Sequence, residues 1–248
     1  MRRWYGGSDR LINEGHYEGL QMPRPLVPNR RGRLLAAARE LFHEQGWPRT
    51  TVADIAARAG VGKGAVYLEF ADKARVLDAL IRDSTRQLVD QVRQRVQSAD
   101  GLVGLAQVYR FGVEELLGDP LMCALYLGDA DLLGAHMAQM PEERYRERVG
   151  WLDEYARGLQ HAGVISEGIE PDHIVRMLST FTIGLVRAPG LMGPTTGADL
   201  SASVALFADV VGRGLAADRI PDADAAREAQ LLLLRRLDDQ LAALDAGT

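Results

Sequence analysis

The residues with the most chemical content sit within one short stretch, from Thr51 to Lys73. Thr51 precedes Asp54 by three positions, so its hydroxyl can accept from the Asp54 backbone N–H while the Asp54 carboxylate reaches back. That capping box starts a helix whose apolar face is Val52, Ile55, Ala56 and Ala59. Gly60-Val61-Gly62 makes a tight turn, and a second, shorter helix follows from Lys63 to about Phe70. Helix, glycine-containing turn and short helix is the helix-turn-helix layout. In such a unit the second helix enters the major groove of DNA and the first crosses its backbone. Side chains at the front of the second helix must be small for backbone and bases to approach, and Gly62, Gly64 and Ala65 meet that need.

Elsewhere the chemistry is sparse. There is no Gly-rich phosphate loop, nucleophile elbow or paired-His zinc helix, although an enzyme with its site hidden among helices is a rival reading. His136, His161 and His173 are too scattered for a metal motif, so neither metal nor cofactor is expected. The single cysteine, Cys123, allows no intrachain disulfide and no cysteine zinc cage. The net charge of −5 looks wrong for a nucleic-acid binder, but its distribution does not. Residues 1–82 hold 14 Lys and Arg against 9 Asp and Glu, a surplus of five positive charges. The remainder holds 15 against 25, a deficit of ten, so a basic N-terminal part sits on an acidic body.

The elements that must position the motif read as helices almost throughout, so the fold class is all-α. The 248 residues, 47% hydrophobic, can bury a real core. No apolar run approaches the ~18 residues of a membrane span, and the N-terminus lacks the apolar stretch of a signal peptide, so a soluble, cytoplasmic chain without a membrane partner is expected. Residues 1–28, rich in Gly, Pro, Arg and Asn, read as a flexible arm. Its Arg2, Arg3 and Arg10 are either plain surface or a minor-groove arm. A helix from Arg30 to Gln45 carries Leu34, Ala38, Leu41 and Phe42, with Gly46 at its C-terminal cap. Asp72 caps a fourth helix with Val76, Leu77, Leu80 and Ile81 inward. Longer helices follow: one through Leu102, Leu105, Val108 and Phe111, one opening at Asp119-Pro120, one from near Pro141 to about Gly163, and one from Pro171. Ser201 to Leu215 is apolar on most sides and is expected to be buried. The last helix, about Asp222 to Leu244, carries a leucine seam at 234, 237, 241 and 244.

Thr51 through Phe70, followed by Asp72-Lys73, resembles the DNA-binding signature of the TetR family. Ile55-Ala56, Ala59-Gly60-Val61, Gly64, Tyr67 with Phe70, and Lys73 all fall in register. The likeness covers about Asn29 to Ser84, a quarter of the chain. It implies a three-helix DNA-binding domain at 29–84 joined to a larger helical body at 85–248 for dimerisation and ligand binding. The implied partners are a double-stranded DNA operator, a small-molecule effector and a second copy of the chain. The resemblance assigns phosphate contacts to the Thr51 and Tyr67 hydroxyls and to Lys73, and a phosphate or guanine edge to Lys63. Ala65 and Leu68 would touch thymine methyls, and Phe70 would be core. Two departures stand out: Gly62 and Ala65 occupy places where the family commonly has hydroxyls. The recognition helix also lacks Arg, Asn and Gln, so specificity is expected to lean on DNA shape and methyl contacts.

For the body, the resemblance implies a ligand pocket, with Tyr109, Phe111, Met122, Tyr126, Trp151, Tyr155, Met177 and Phe181 as lining candidates suited to a mostly apolar molecule. Phe181, Gly184 and Leu185, with Leu234, Leu237 and Leu241, are candidates for the dimer interface. The leucine seam equally suits covering the subunit's own core. Effector binding would release a repressor from DNA, with the fourth helix as the lever. An architectural or protein-docking member without a ligand is the alternative.

Overall fold

The structure is a computed structural model, described for residues 29–127, 133, 143–192 and 196–246. The N-terminal arm with its arginines, His136 and the helix start near Pro141 lie outside the described residues. The chain divides into a unit Met1–Arg30 and a unit Arg31–Thr248, and both apolar cores lie in the second. Among the described residues there are ten helices and no strand. They are α1 (Arg30–Gln45), α2 (Val52–Arg58), α3 (Lys63–Glu69), α4 (Lys73–Gln97), α5 (Leu105–Gly118), α6 (Pro120–Leu127), α7 (Glu143–His161), α8 (Pro171–Met192), α9 (Gly197–Leu215) and α10 (Ala223–Ala246). No described helix is long and apolar enough to cross a membrane.

The two cores organise these helices. The first, in the head, gathers Leu34, Ala38, Leu41 and Phe42 of α1, Ile55 and Ala56 of α2, Val66 of α3 and Val76, Leu77 and Leu80 of α4. Leu121, Met122 and Leu125 of α6 belong to the same core. The second, in the body, takes the far half of α4 (Val89, Val92, Val96) together with α5, α7, α8, α9 and α10. Helix α4 therefore runs through both. Although α6 lies in the 85–248 segment, it packs into the head.

Two expectations change, and the leucine seam takes one of its two readings. Leu102 lies before α5 and is exposed, because the chain is irregular from Gly101 until Gly104 caps the helix. Helix α9 is buried on one stripe only, through Val204, Ala208, Val211 and Leu215. Leu206 and Val210 remain 66% and 59% exposed, because α9 packs on α5 and no described element covers its far side. The leucine seam of α10 faces inward: Leu237 is fully buried, and Leu234 and Leu241 pack on the body core between α7 and α4. Leu185 is buried in that core too. Leu237 and Leu185 are thus occupied within the protomer.

Candidate nucleic-acid interface and apolar cleft

The capping box at Thr51 is formed in full. Thr51 Oγ accepts from the Asp54 N–H at 3.1 Å, and the Asp54 carboxylate accepts from the Thr51 N–H at 2.9 Å and from its hydroxyl at 2.7 Å. These bonds hold the Asp54 carboxyl below the usual carboxylate range. Helix α2 ends at a left-handed Gly60 (φ 66°), with the Val61 N–H bonded to Ala56 O at 2.9 Å and the Gly60 N–H to Ala57 O at 3.1 Å. That pair of bonds is a Schellman cap and needs the positive φ. From α1, Arg33 donates to Ala59 O at 2.5 Å and pins the same turn. Helix α3 buries Val66, and Phe70 just beyond it, and turns the rest outward. Leu68 is 74% exposed and Tyr67 49%. Lys63 is exposed, and a Cβ on Gly64 would meet nothing within 4 Å. The smallness of Gly64 therefore matters only to something arriving from outside. Gly62, the N-cap, supplies no side-chain bond.

Lys73 is turned inward. Its ammonium donates to Trp47 O at 2.6 Å and lies 5.0 Å from the Trp47 ring centroid. Partial burial lowers its pKa, opposed by the nearby Asp54 charge. The Gly46–Thr50 turn lays its carbonyls over the start of α4, which explains the capture.

In the body, α4 to α8 and α10 enclose a cleft with about 120 Å³ of free volume. Leu88, Val89, Val113, Leu116, Leu152 and Leu178 form most of its wall, joined by Tyr109, Met122, Tyr126 and Trp151. Among the described residues, no charged side chain lines it. Four of its hydroxyls already have partners within the protein, and Ser179, Trp151 and Gln240 complete its polar lining. Tyr109 Oη sits 2.6 Å from Thr182 Oγ, Thr182 donates to Leu178 O at 2.9 Å, Tyr126 to Ser179 O at 3.3 Å, and Thr85 to Ile81 O at 2.8 Å.

Against known proteins, the family model for bacterial regulatory proteins of the tetR family matches residues 34–80. The HTH-type transcriptional repressor KstR2 of Mycobacterium tuberculosis H37Rv is 30% identical over 175 residues, 68% of this chain and 86% of that protein. The chain belongs to the TetR family. Solved structures agree: the ketosteroid regulator KstR2 aligns with TM-score 0.53 at 26% identity over 78% of this chain and 98% of that one. A TetR-family regulator from Syntrophomonas wolfei aligns with TM-score 0.58 at 21% identity, over 77% and 98%.

This TetR-family chain is thus a DNA-binding transcriptional regulator, and the structure sorts its expected site residues. Gly62, Lys63, Gly64, Tyr67 and Leu68 share one accessible surface, with Ala65 half-buried at its edge. The Thr51 hydroxyl donates to Asp54 and the Lys73 ammonium to the Trp47 carbonyl, so each is already engaged within the head. In the cleft, Tyr109, Met122, Tyr126 and Trp151 come together. The other four candidates do not. Phe111 lies under the Arg95 guanidinium at 4.0 Å, and Tyr155 donates to Val103 O. Met177 is exposed, and Phe181 stacks on Phe207 at 3.6 Å. Sequence reasoning missed Arg33 at the turn and the small lining residues Gly112 and Ser179, because it sought pocket walls only among large side chains.

Proposed function

We propose that this TetR-family protein is a homodimeric repressor, released from its operator by a small, mostly apolar molecule held in the cleft. The uncharged lining, with four of its hydroxyls already paired, is the observation that carries the effector class: an occupant gains from apolar burial more than from new ionic bonds. KstR2 is described as a ketosteroid regulator, and a polycyclic, uncharged ring system suits these walls. A cavity of ~150 Å³ holds a ring the size of benzene, so a steroid-sized occupant would have to push the wall outward.

On the DNA side, Lys63 and Tyr67 would reach phosphates, Gly62 and Gly64 would let the backbone approach, and Leu68 and Ala65 would meet thymine methyls. Lys73 would act from behind, holding the turn ahead of α2, and Thr51 would act as its cap. The dimer surface would combine the outward faces of α8 and α9, where Met177, Ile183, Leu206 and Val210 are exposed and the Cβ position of Gly184 is open. Two α3 helices about 34 Å apart would then read successive major grooves.

The test is to select operator duplexes from random DNA, then titrate them with ketosteroids and acyl-CoA thioesters as separate arms. The expected result is operator release by the uncharged polycyclic compounds, with the operator weakening their binding by the same factor. A compound that binds tightly yet leaves operator affinity unchanged overturns the inducer role.

A further inference from the structure

One guanidinium joins three helices. Arg39 of α1 donates to Ser84 Oγ at 2.8 Å and to Asp83 at 3.0 Å, both on α4, and to Asp119 at 2.9 Å, at the junction of α5 and α6. The other oxygen of Asp119 caps α6, accepting from the Leu121 N–H at 2.9 Å. The side chains of Arg39 and Asp119 are 23% and 18% exposed, so the pair is partly shielded from solvent. Three and seven residues beyond Asp119, Met122 and Tyr126 line the cleft, as does Leu116 just before it. Asp119 is therefore bonded to the head on one side and fixed to the cleft wall on the other.

Apolar packing of Leu121 and Leu125 also ties α6 to the head. Such contacts are non-directional and survive a small slide. A charge-assisted N–H···O bond does not, because it weakens steeply with distance and misalignment. Arg39 directly follows Ala38 and lies a little over one turn beyond Leu34, and both of these belong to the core that holds Ile55 and Val66 of the helix-turn-helix. Two turns back along α1, Arg33 pins the α2–α3 turn itself.

We propose that the Arg39–Asp119 pair is the link through which occupancy of the cleft reaches the recognition helix, with Arg39 a positioning residue for α1. This rests on the reading of the cleft as the effector site. Displacement of α6 by an occupant moves Asp119, and the bond either drags α1 or breaks. In both cases the head is no longer held as it is when the cleft is closed.

The test needs no known effector, because a cleft-filling substitution, Ser179→Phe, serves as the probe in the full-length protein, with selected operator DNA. Asp119→Asn is the partner change, since asparagine caps a helix as well as aspartate but carries no charge for Arg39. The expected result is that Ser179→Phe weakens operator binding by about tenfold or more in the wild-type background and by less than about twofold alongside Asp119→Asn. Arg39→Lys, which keeps the charge but loses the fork that reaches the three acceptors from two nitrogens, falls between. Equal losses in both backgrounds overturn the link, as does a lowered melting temperature with the coupling intact. A silent Ser179→Phe in the wild type overturns the effector-site reading, and the link with it. Ser179→Leu replaces the larger probe if circular dichroism shows that Ser179→Phe does not fold.

Discussion

The outer face of α3 and the wall of the cleft treat their polar groups in opposite ways. On α3, Lys63 is exposed and Tyr67 is half exposed, with Leu68 beside them still more so. In the cleft, Tyr109, Thr182, Tyr126 and Thr85 are each spent on a hydroxyl or carbonyl of the protein. A surface that keeps donors in water is suited to a charged, hydrated partner, whose phosphates replace water one for one. A surface that has already satisfied most of its hydroxyls is suited to an apolar partner. One chain thus offers two recognition chemistries, and the two clusters that carry them meet along α4 and α6.

The largest effect should come from separating the two copies. Leu206→Glu with Val210→Glu places charges on the exposed stripe of α9 without touching its buried one. Light scattering at micromolar concentration should then report a monomer, and operator affinity should fall by about a hundredfold or more, because the second half-site no longer binds intramolecularly. A dimer that persists moves the interface elsewhere.

A matched pair of tyrosine changes tests the contrast directly. Tyr67→Phe should weaken operator binding by about tenfold, the worth of a hydrogen bond to a charged group, and leave the melting temperature unchanged. Tyr126→Phe should do the reverse, costing about 1 kcal/mol of stability with operator affinity intact. If both tyrosines affect only stability, α3 does not meet DNA through Tyr67. Smaller still is the methyl contact. Replacing the thymine under Leu68 by deoxyuridine should cost about 0.8 kcal/mol, and nothing further in Leu68→Ala.

The head was largely legible in the sequence because its signals are local. The Thr51–Asp54 box, the glycines at 46 and 60 and the Asp72 cap each act within a few residues, and each is found where its spacing put it. The body was less legible because its decisions are not local. An apolar stripe states that something covers it but not what. The seam of α10 and the outer stripe of α9 carry the same kind of pattern, yet the protomer covers the first and leaves the second bare. Lys73 stands at a helix start, where its charge suits a phosphate, and only the folded turn brings the Trp47 carbonyl within 2.6 Å. The membership of α6 in the head core escaped for the same reason.

The smallest effect compares identical chemistry in the two regions. Thr196–Asp199 caps α9 with the same three bonds that Thr51–Asp54 makes at α2, and both carboxyls are held below the usual range by them. A carboxylate whose pKa is depressed by folding contributes fully above the ordinary carboxylate range and loses that contribution as pH falls through its depressed value. Both groups are exposed to solvent, so the global melting temperature should barely register either. Amide exchange in the first turn is the sensitive measurement. After correction for the intrinsic rate, it should accelerate in α2 and α9 alike as the pH drops. Asp54 differs in one respect: the Lys73 charge adds to its depression, and nothing comparable acts on Asp199. The α2 transition should therefore lie at lower pH than that of α9, and Lys73→Met should bring the two together. Coincident transitions in the unmodified protein would show that Lys73 does no more for the head than hold the Trp47 carbonyl.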